Sequence, residues 1–202
     1  TDAFDLAVDG DLQISGSTAT LFTHQGSTIT VNGTLSVTNG ATLHLPANPD
    51  GLGTVSVAGD LLLSADASGV KGSTIWIECL ATNQPPDDTS LLVNVGGSIV
   101  IGTNSAIEVF SHPTTGGSAL FKCYNFTVAA GGIVNADGGG FNNVNKGPGL
   151  GRTNNSQWGG GGYGGLGGYA SVVNNSGLTY GSRETPLLPG SSGQPRFTYY
   201  NL

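Results

Sequence analysis

The chain has 202 residues with a formal net charge of −7; 35 of its residues are glycine, only six are Lys or Arg, and there is no Met. That balance argues against a nucleic-acid partner, because binding phosphate takes clustered Lys and Arg that release counterions. Strong helix formers are scarce, no stretch keeps helical apolar spacing for three turns, and no run reaches the length of a membrane span. Thr1 is not an initiator, so a mature or excised form is expected, and any signal peptide would already be gone.

What the chain does carry is a recurring phrase. Val8-Asp9-Gly10-Asp11-Leu12, Val31-Asn32-Gly33-Thr34-Leu35, Val57-Ala58-Gly59-Asp60-Leu61 and Val95-Gly96-Gly97-Ser98-Ile99 all read V-x-G-x-(L/I), with a looser copy at Val128 to Ile133. An apolar residue stands two before each Val (Leu6, Ile29, Val55, Val93, Phe126), and another two after most of the Leu/Ile positions (Ile14, Val37, Leu63, Ile101). This period of two predicts strands with one buried face. The valines are 23, 26, 38 and 33 residues apart, which suits a solenoid with one rung per repeat.

A second strand is expected in each rung, as in Ala41 to Leu45 after Asn39-Gly40, Ser73 to Ile77 after Gly72 and Ala106 to Val109 after Asn104-Ser105. Two or three short strands per turn, joined by Gly, Asn and Ser corners and stacked turn on turn, predict an all-β parallel β-helix. A β-sandwich also wants alternating strands, but it has no need of the same phrase in every turn. The mid-phrase glycine is expected to hold a bend or bulge, since only Gly takes positive φ at no steric cost.

In chain order, residues 1 to 20 make the first rung, and Asp2, Asp5, Asp9 and Asp11 give it an acidic fringe. Their spacing matches no calcium loop, so a solvated edge is expected. In the next two rungs His44 alternates with Leu43 and Leu45 and should point outward. His24, His44 and His112 read as lone surface residues. The loop Asn83 to Asp88 carries the only adjacent acid pair, Asp87 and Asp88, but no Arg or Lys repeats with the carboxylates Glu78 and Glu108. No nucleophile elbow or phosphate-binding loop is present, so neither an enzyme, a cofactor nor a metal site is expected.

Cys79 and Cys123 are the only cysteines; they would either form a disulfide clipping neighbouring coils or remain two buried free thiols. Sequons at Asn32, Asn125, Asn154 and Asn174 would carry glycans in a secreted protein. The composition, rich in Thr, Ser, Asn and Gly with few Lys, points to an extracellular or cell-surface setting.

The expected division is 1–130 for the rungs and 131–202 for a glycine-rich segment packed on the same solenoid. That segment reads as a disordered linker, as extended chains packed closely because Gly has no side chain, or as an excursion anchored by Trp158, Tyr163, Leu166 and Tyr169. The last residues, Phe197-Thr198-Tyr199-Tyr200-Asn201-Leu202, alternate like a strand that could cap the helix or add to a neighbour's edge.

The rungs followed by D-G-G-G (137–140), G-G-G-G-Y-G-G-L-G-G (159–168), Y-G-S (180–182) and P-L-L-P-G-S-S-G (186–193) resemble the right-handed β-helix and glycine-rich segments of large extracellular adhesin-like surface proteins. The resemblance covers about residues 6 to 193, and it implies an extracellular scaffold or adhesive role with no catalytic residues.

The leading expectation is a non-enzymatic structural subunit of a filament, sheath or surface layer, associating with itself through β edges, with Phe197, Tyr199 and Tyr200 in the assembly strand. The alternative is a carbohydrate-binding or adhesive module in which Trp158, Tyr163 and Tyr169, together with Trp76, stack on sugar rings. A third reading, an ice-binding face, would draw on Thr28, Thr30, Thr34, Thr38 and Thr42.

Overall fold

A computed structural model describes residues 5–48, 50, 52–80, 82–83, 89–141, 146–154, 157–169, 175–184 and 186–193. The chain divides into two compact units, Thr1–Phe110 with Gly117–Asp137, and Ser111–Gly116 with Gly138–Leu202.

The first unit is a parallel β-helix of five coils, each contributing one strand to each of three sheets. Sheet A holds β1 (Leu6–Val8), β4 (Ile29–Val31), β7 (Gly53–Val57), β10 (Leu91–Val95) and β13 (Ala119–Lys122). Sheet B holds β2 (Leu12–Ser15), β5 (Leu35–Thr38), β8 (Leu61–Leu63), β11 (Ser98–Ile101) and β14 (Asn125–Val128). Sheet C holds β3 (Thr20–Phe22), β6 (Thr42–Pro46), β9 (Thr74–Glu78), β12 (Ala106–Phe110) and β15 (Ile133–Asn135). Each strand pairs with the one three later, because one turn of the solenoid consumes three strands.

The registers stack like on like. Ile29, Val55 and Val93 align in sheet A, Leu35, Leu61 and Ile99 in sheet B, and Leu43, Ile75 and Ile107 in sheet C. All nine are buried, and they form the apolar core that runs along the solenoid axis. Burying a side chain of this size is worth about 1.5–3 kcal/mol, so the repeated apolar position is the main term fixing the register.

The fifth turn differs from the expected alignment. Val128 is the last residue of β14 and pairs with Ile101, so Val128 to Ile133 forms the corner between sheets B and C. The true fifth phrase runs through Phe121 and Lys122, which pair with Val93 and Asn94, and places Cys123 where the other coils have Val. Any corner of the form apolar-x-x-Gly-Gly-apolar imitates the phrase, and sequence spacing alone does not separate the two.

The phrase glycine also has a different cause from the one expected. None of Gly10, Gly33, Gly59 and Gly97 has positive φ. A Cβ on Gly33 would stand 2.7 Å from the Gly10 carbonyl carbon, and one on Gly59 or Gly97 would stand 2.9 Å from the carbonyl oxygen of the glycine one coil earlier. Glycine is required here because successive corners stack backbone to backbone. Positive φ occurs instead at the corners between sheets B and C, at Asn39 (59°), Gly40 (79°), Asn104 (55°) and Gly131 (81°), where Asn and Gly meet the least steric resistance.

Side chains tie the corners together. The carboxylate Oδ1 of Asp11 accepts the Thr34 amide at 2.7 Å, and Asp60 Oδ1 accepts the Ser98 amide at 2.7 Å. Asp9 accepts from Asn32 at 3.3 Å and Asp5 from Thr28, so the described aspartates of the acidic fringe link coil 1 to coil 2 and are not merely solvated. At the next corner the fully buried Ser73 accepts the Gly40 amide through Oγ, donates to Ser64 O at 2.8 Å, and passes its own amide to Ser105 Oγ.

The second unit is built from glycine in another way. Gly160 donates to Gly168, Gly162 to Gly149, Gly167 to Gly177 and Gly177 to Gly160, at 2.7–2.9 Å. A Cβ on Gly151, Gly159, Gly167 or Gly177 would overlap a facing carbonyl oxygen. This favours the close-packed reading of the segment over a linker. The only ladder among its described residues is β16 (Thr153–Asn154) against β17 (Gln157–Trp158), antiparallel.

Candidate functional site

Because side chains alternate along a strand, the residues between the core positions of sheet C form an outward face. One register there brings together Phe22, His44 and Trp76 from three successive coils, followed by Glu108 and Asn135. Phe110 leans back from the neighbouring register onto Trp76, with centroids 4.4 Å apart and planes 21° from parallel. Phe22 and His44 lie 4.3 Å apart, and His44 and Trp76 6.4 Å apart. The result is a continuous aromatic column across four coils.

Two carboxylates edge this column. Glu78 Oε1 accepts from the Trp76 indole at 3.3 Å and lies 3.6 Å from His44 Nε2, while Glu108 Oε2 accepts the Asn135 amide at 2.7 Å. Beside them Thr20, Thr42 and Thr74 stand in one register and add a strip of hydroxyls. His44 therefore points outward as expected, yet it is not a lone residue, because Phe22 and Trp76 sandwich its ring.

Chemically, the column offers ring edges, an indole tied to a carboxylate, and one open ring at its end, since Phe22 is 60% exposed. Sequence reading missed it because Phe22, His44 and Trp76 are unlike one another and 22 and 32 residues apart. The signal was present in the outward position next to each aligned core residue of the second strand.

The second site is the last coil. Phe126, Val128 and Val134 hold the register positions that Ile99, Ile101 and Ile107 hold one coil earlier. Those isoleucines are fully buried, whereas the three coil-5 residues are 41%, 45% and 47% exposed. Tyr124, at the adjoining corner, is 84% exposed. The final coil thus presents inward-facing apolar side chains and a strand edge that no described strand covers.

The other sequence-derived residues are scattered. Tyr163 is half-buried, packs edge-on against Tyr180 at 5.0 Å, and accepts the Leu188 amide on its hydroxyl at 3.2 Å, while Tyr169 is 59% exposed. Burial raises the Tyr180 phenol above its ordinary pKa, and its hydroxyl donates to Pro189 O. Trp158 lies in β17, but its side chain, like that of Asn154, is outside the described set. Phe197, Tyr199, Tyr200, Asn174, Asp87 and Asp88 all lie outside the described residues.

Asn32 is exposed at a corner of the solenoid, and Asn125 is exposed at the start of β14. Cys79 and Cys123 are free thiols. They follow β9 of coil 3 and β13 of coil 5, on different sheets, so they are not in neighbouring coils as expected. Two coils span about 10 Å, beyond the roughly 7 Å that a disulfide bridges. Burial pushes the Cys79 thiol up to about 12. The threonines of coil 2 divide among the sheets, with Thr30 in β4, Thr38 in β5 and Thr42 in β6, so they form no single ice-binding face. Among the described residues no cluster of three or more His, Cys, Asp or Glu could hold a metal.

Comparison of the chain with protein-family models, curated proteins and solved structures finds no match.

Proposed function

We propose that the chain is a non-enzymatic structural subunit of an extracellular assembly, such as a filament, sheath or surface layer, that associates with itself through β edges. The observation that carries this reading is the last coil, where Phe126, Val128 and Val134 stay open at positions that are sealed one coil earlier. A parallel strand edge is an array of unmet donors and acceptors, and it invites another strand. Few charges oppose such pairing, with 13 acids and six bases in the whole chain. The likeness to adhesin-type surface proteins and the sequons at Asn32, Asn154 and Asn174 favour the extracellular setting. Electron microscopy of the purified chain, with its mass in solution, tests the reading: ordered fibres, tubes or sheets are expected, and a monomer at all concentrations would sink it.

A second reading, a carbohydrate-binding or adhesive module, is favoured by the aromatic column with its flanking Glu78, Glu108 and threonines. Its rings lean on one another, which leaves mainly Phe22 free to stack on a sugar. Binding to a polysaccharide panel that is lost in Trp76→Ala and Phe22→Ala, with the fold intact, would support this module over the structural subunit.

A further inference from the structure

Coil 1 keeps a feature for which the described residues give no use. In coils 2, 3 and 4 the corner glycines Gly33, Gly59 and Gly97 are forced by the coil before them, which a Cβ would strike. Around Gly10, which sits at the same corner of coil 1, nothing among the described residues lies within 4 Å of a Cβ. Gly10 also lacks positive φ, so its own backbone does not require glycine. Among the described residues the corner therefore leaves room for a further coil.

Coil 5 offers the opposite edge, with Tyr124 in the glycine's place at this corner. We propose that copies of this chain dock head to tail, coil 5 of one beneath coil 1 of the next, so that the three sheets run on from copy to copy. This rests on the self-association proposed above and names its two surfaces. Continuing the observed registers places Phe126 of one copy against Leu12 of the next, Val128 against Ile14, and Val134 against Leu21. Leu12 and Leu21 are only half-buried, whereas Leu35 and Leu43 directly above them are sealed. Strand lengths agree to within one residue, at 4, 4 and 3 in coil 5 against 3, 4 and 3 in coil 1.

The polar groups fit as well. Asp11 and Asp60 each accept a backbone amide from the following coil. Asn125 occupies the same register in coil 5, since it pairs with Ser98. Its carboxamide oxygen would accept the Asp11 amide of the next copy, as the Asp11 and Asp60 carboxylates accept theirs. On the outward face Lys122 falls opposite Ala7, between Asp5 and Asp9 of the incoming coil. A heterologous contact of this kind does not close on itself, so it propagates as a filament. It also needs Asn125 of the sequon to be unglycosylated.

The test is a register-specific cross-link. In a Cys123→Ser background, Ala7→Cys and Lys122→Cys are made in separate proteins, mixed and mildly oxidised. Residues paired across parallel strands lie about 5 Å apart, within disulfide reach. A cross-linked heterodimer is expected from the mixture and not from either protein alone. Gly10→Leu should leave the melting temperature of the monomer unchanged and weaken association at least about tenfold, because the side chain enters the space reserved for the partner. Assemblies that form without this cross-link and tolerate Gly10→Leu would overturn head-to-tail docking while leaving self-association in place. A monomer that Gly10→Leu destabilises would assign the space beside Gly10 to the chain's own residues and would also overturn the proposal.

Discussion

Coils 4 and 5 are built from the same registers and face different surroundings. In coil 4, Ile99, Ile101 and Ile107 are sealed by strands on both sides, while in coil 5 Phe126, Val128 and Val134 take the same positions with cover on one side only. A solenoid coil buries its inward face through its neighbours, so a terminal coil keeps the apolar pattern without its stabilisation. The difference between the two coils is therefore a direct measure of what a partner would supply.

The largest expected effect lies inside the stack. A Cβ on Gly72 would overlap the Asn104 carbonyl of the next coil, so Gly72→Ala should cost about 3 kcal/mol or more in denaturant unfolding. Gly10→Ala should cost under about 0.5 kcal/mol in the monomer. Next comes the matched pair along one column. Ile101→Ala should cost about 2–5 kcal/mol, and Val128→Ala less than about 1 kcal/mol when measured on dilute monomer. Equal losses at the two positions would mean that coil 5 is already covered.

A smaller loss is expected at the serine corner. Ser73→Ala leaves the Gly40 amide without its acceptor and should cost about 1–3 kcal/mol.

The cysteines provide a chemical version of the comparison. Cys79 is sealed in coil 3, and Cys123 is half-buried in coil 5, so a thiol reagent should label Cys123 in the native protein and Cys79 only on unfolding. The raised thiol pKa has a definite sign. The unfolded thiol ionises near its ordinary value of 9.0, while the buried one holds its proton to about 12, so stability falls as pH rises between these values. Cys79→Ala should remove that part of the slope, and an unchanged pH profile would show that Cys79 is not sealed.

Much of the solenoid was legible in the sequence, because a coil that stacks on itself repeats both its alternation and its phrase. Val8, Val31, Val57 and Val95 each end a strand of sheet A, as their common context suggested. The fifth coil misled because Val128 begins a Gly-Gly corner that imitates the phrase. The reason for the corner glycines was hidden for a related cause: the atoms that exclude a Cβ belong to a different coil, more than 20 residues away in the chain. The aromatic column needed the register before Phe22, His44 and Trp76 could be seen as neighbours. Of the residues picked for sugar stacking, Tyr163 spends its ring and hydroxyl on Tyr180 and Leu188, a local partnership that composition does not encode.

The central claim is that coil 5 is an interface between copies of the chain. Amide hydrogen exchange of β13, β14 and β15, followed across protein concentration, tests it most directly. Protection of these strands should rise with concentration until it approaches that of β10, β11 and β12, which stay protected throughout. Exchange in coil 5 that is independent of concentration, over a range where coil 4 remains protected, would contradict the account.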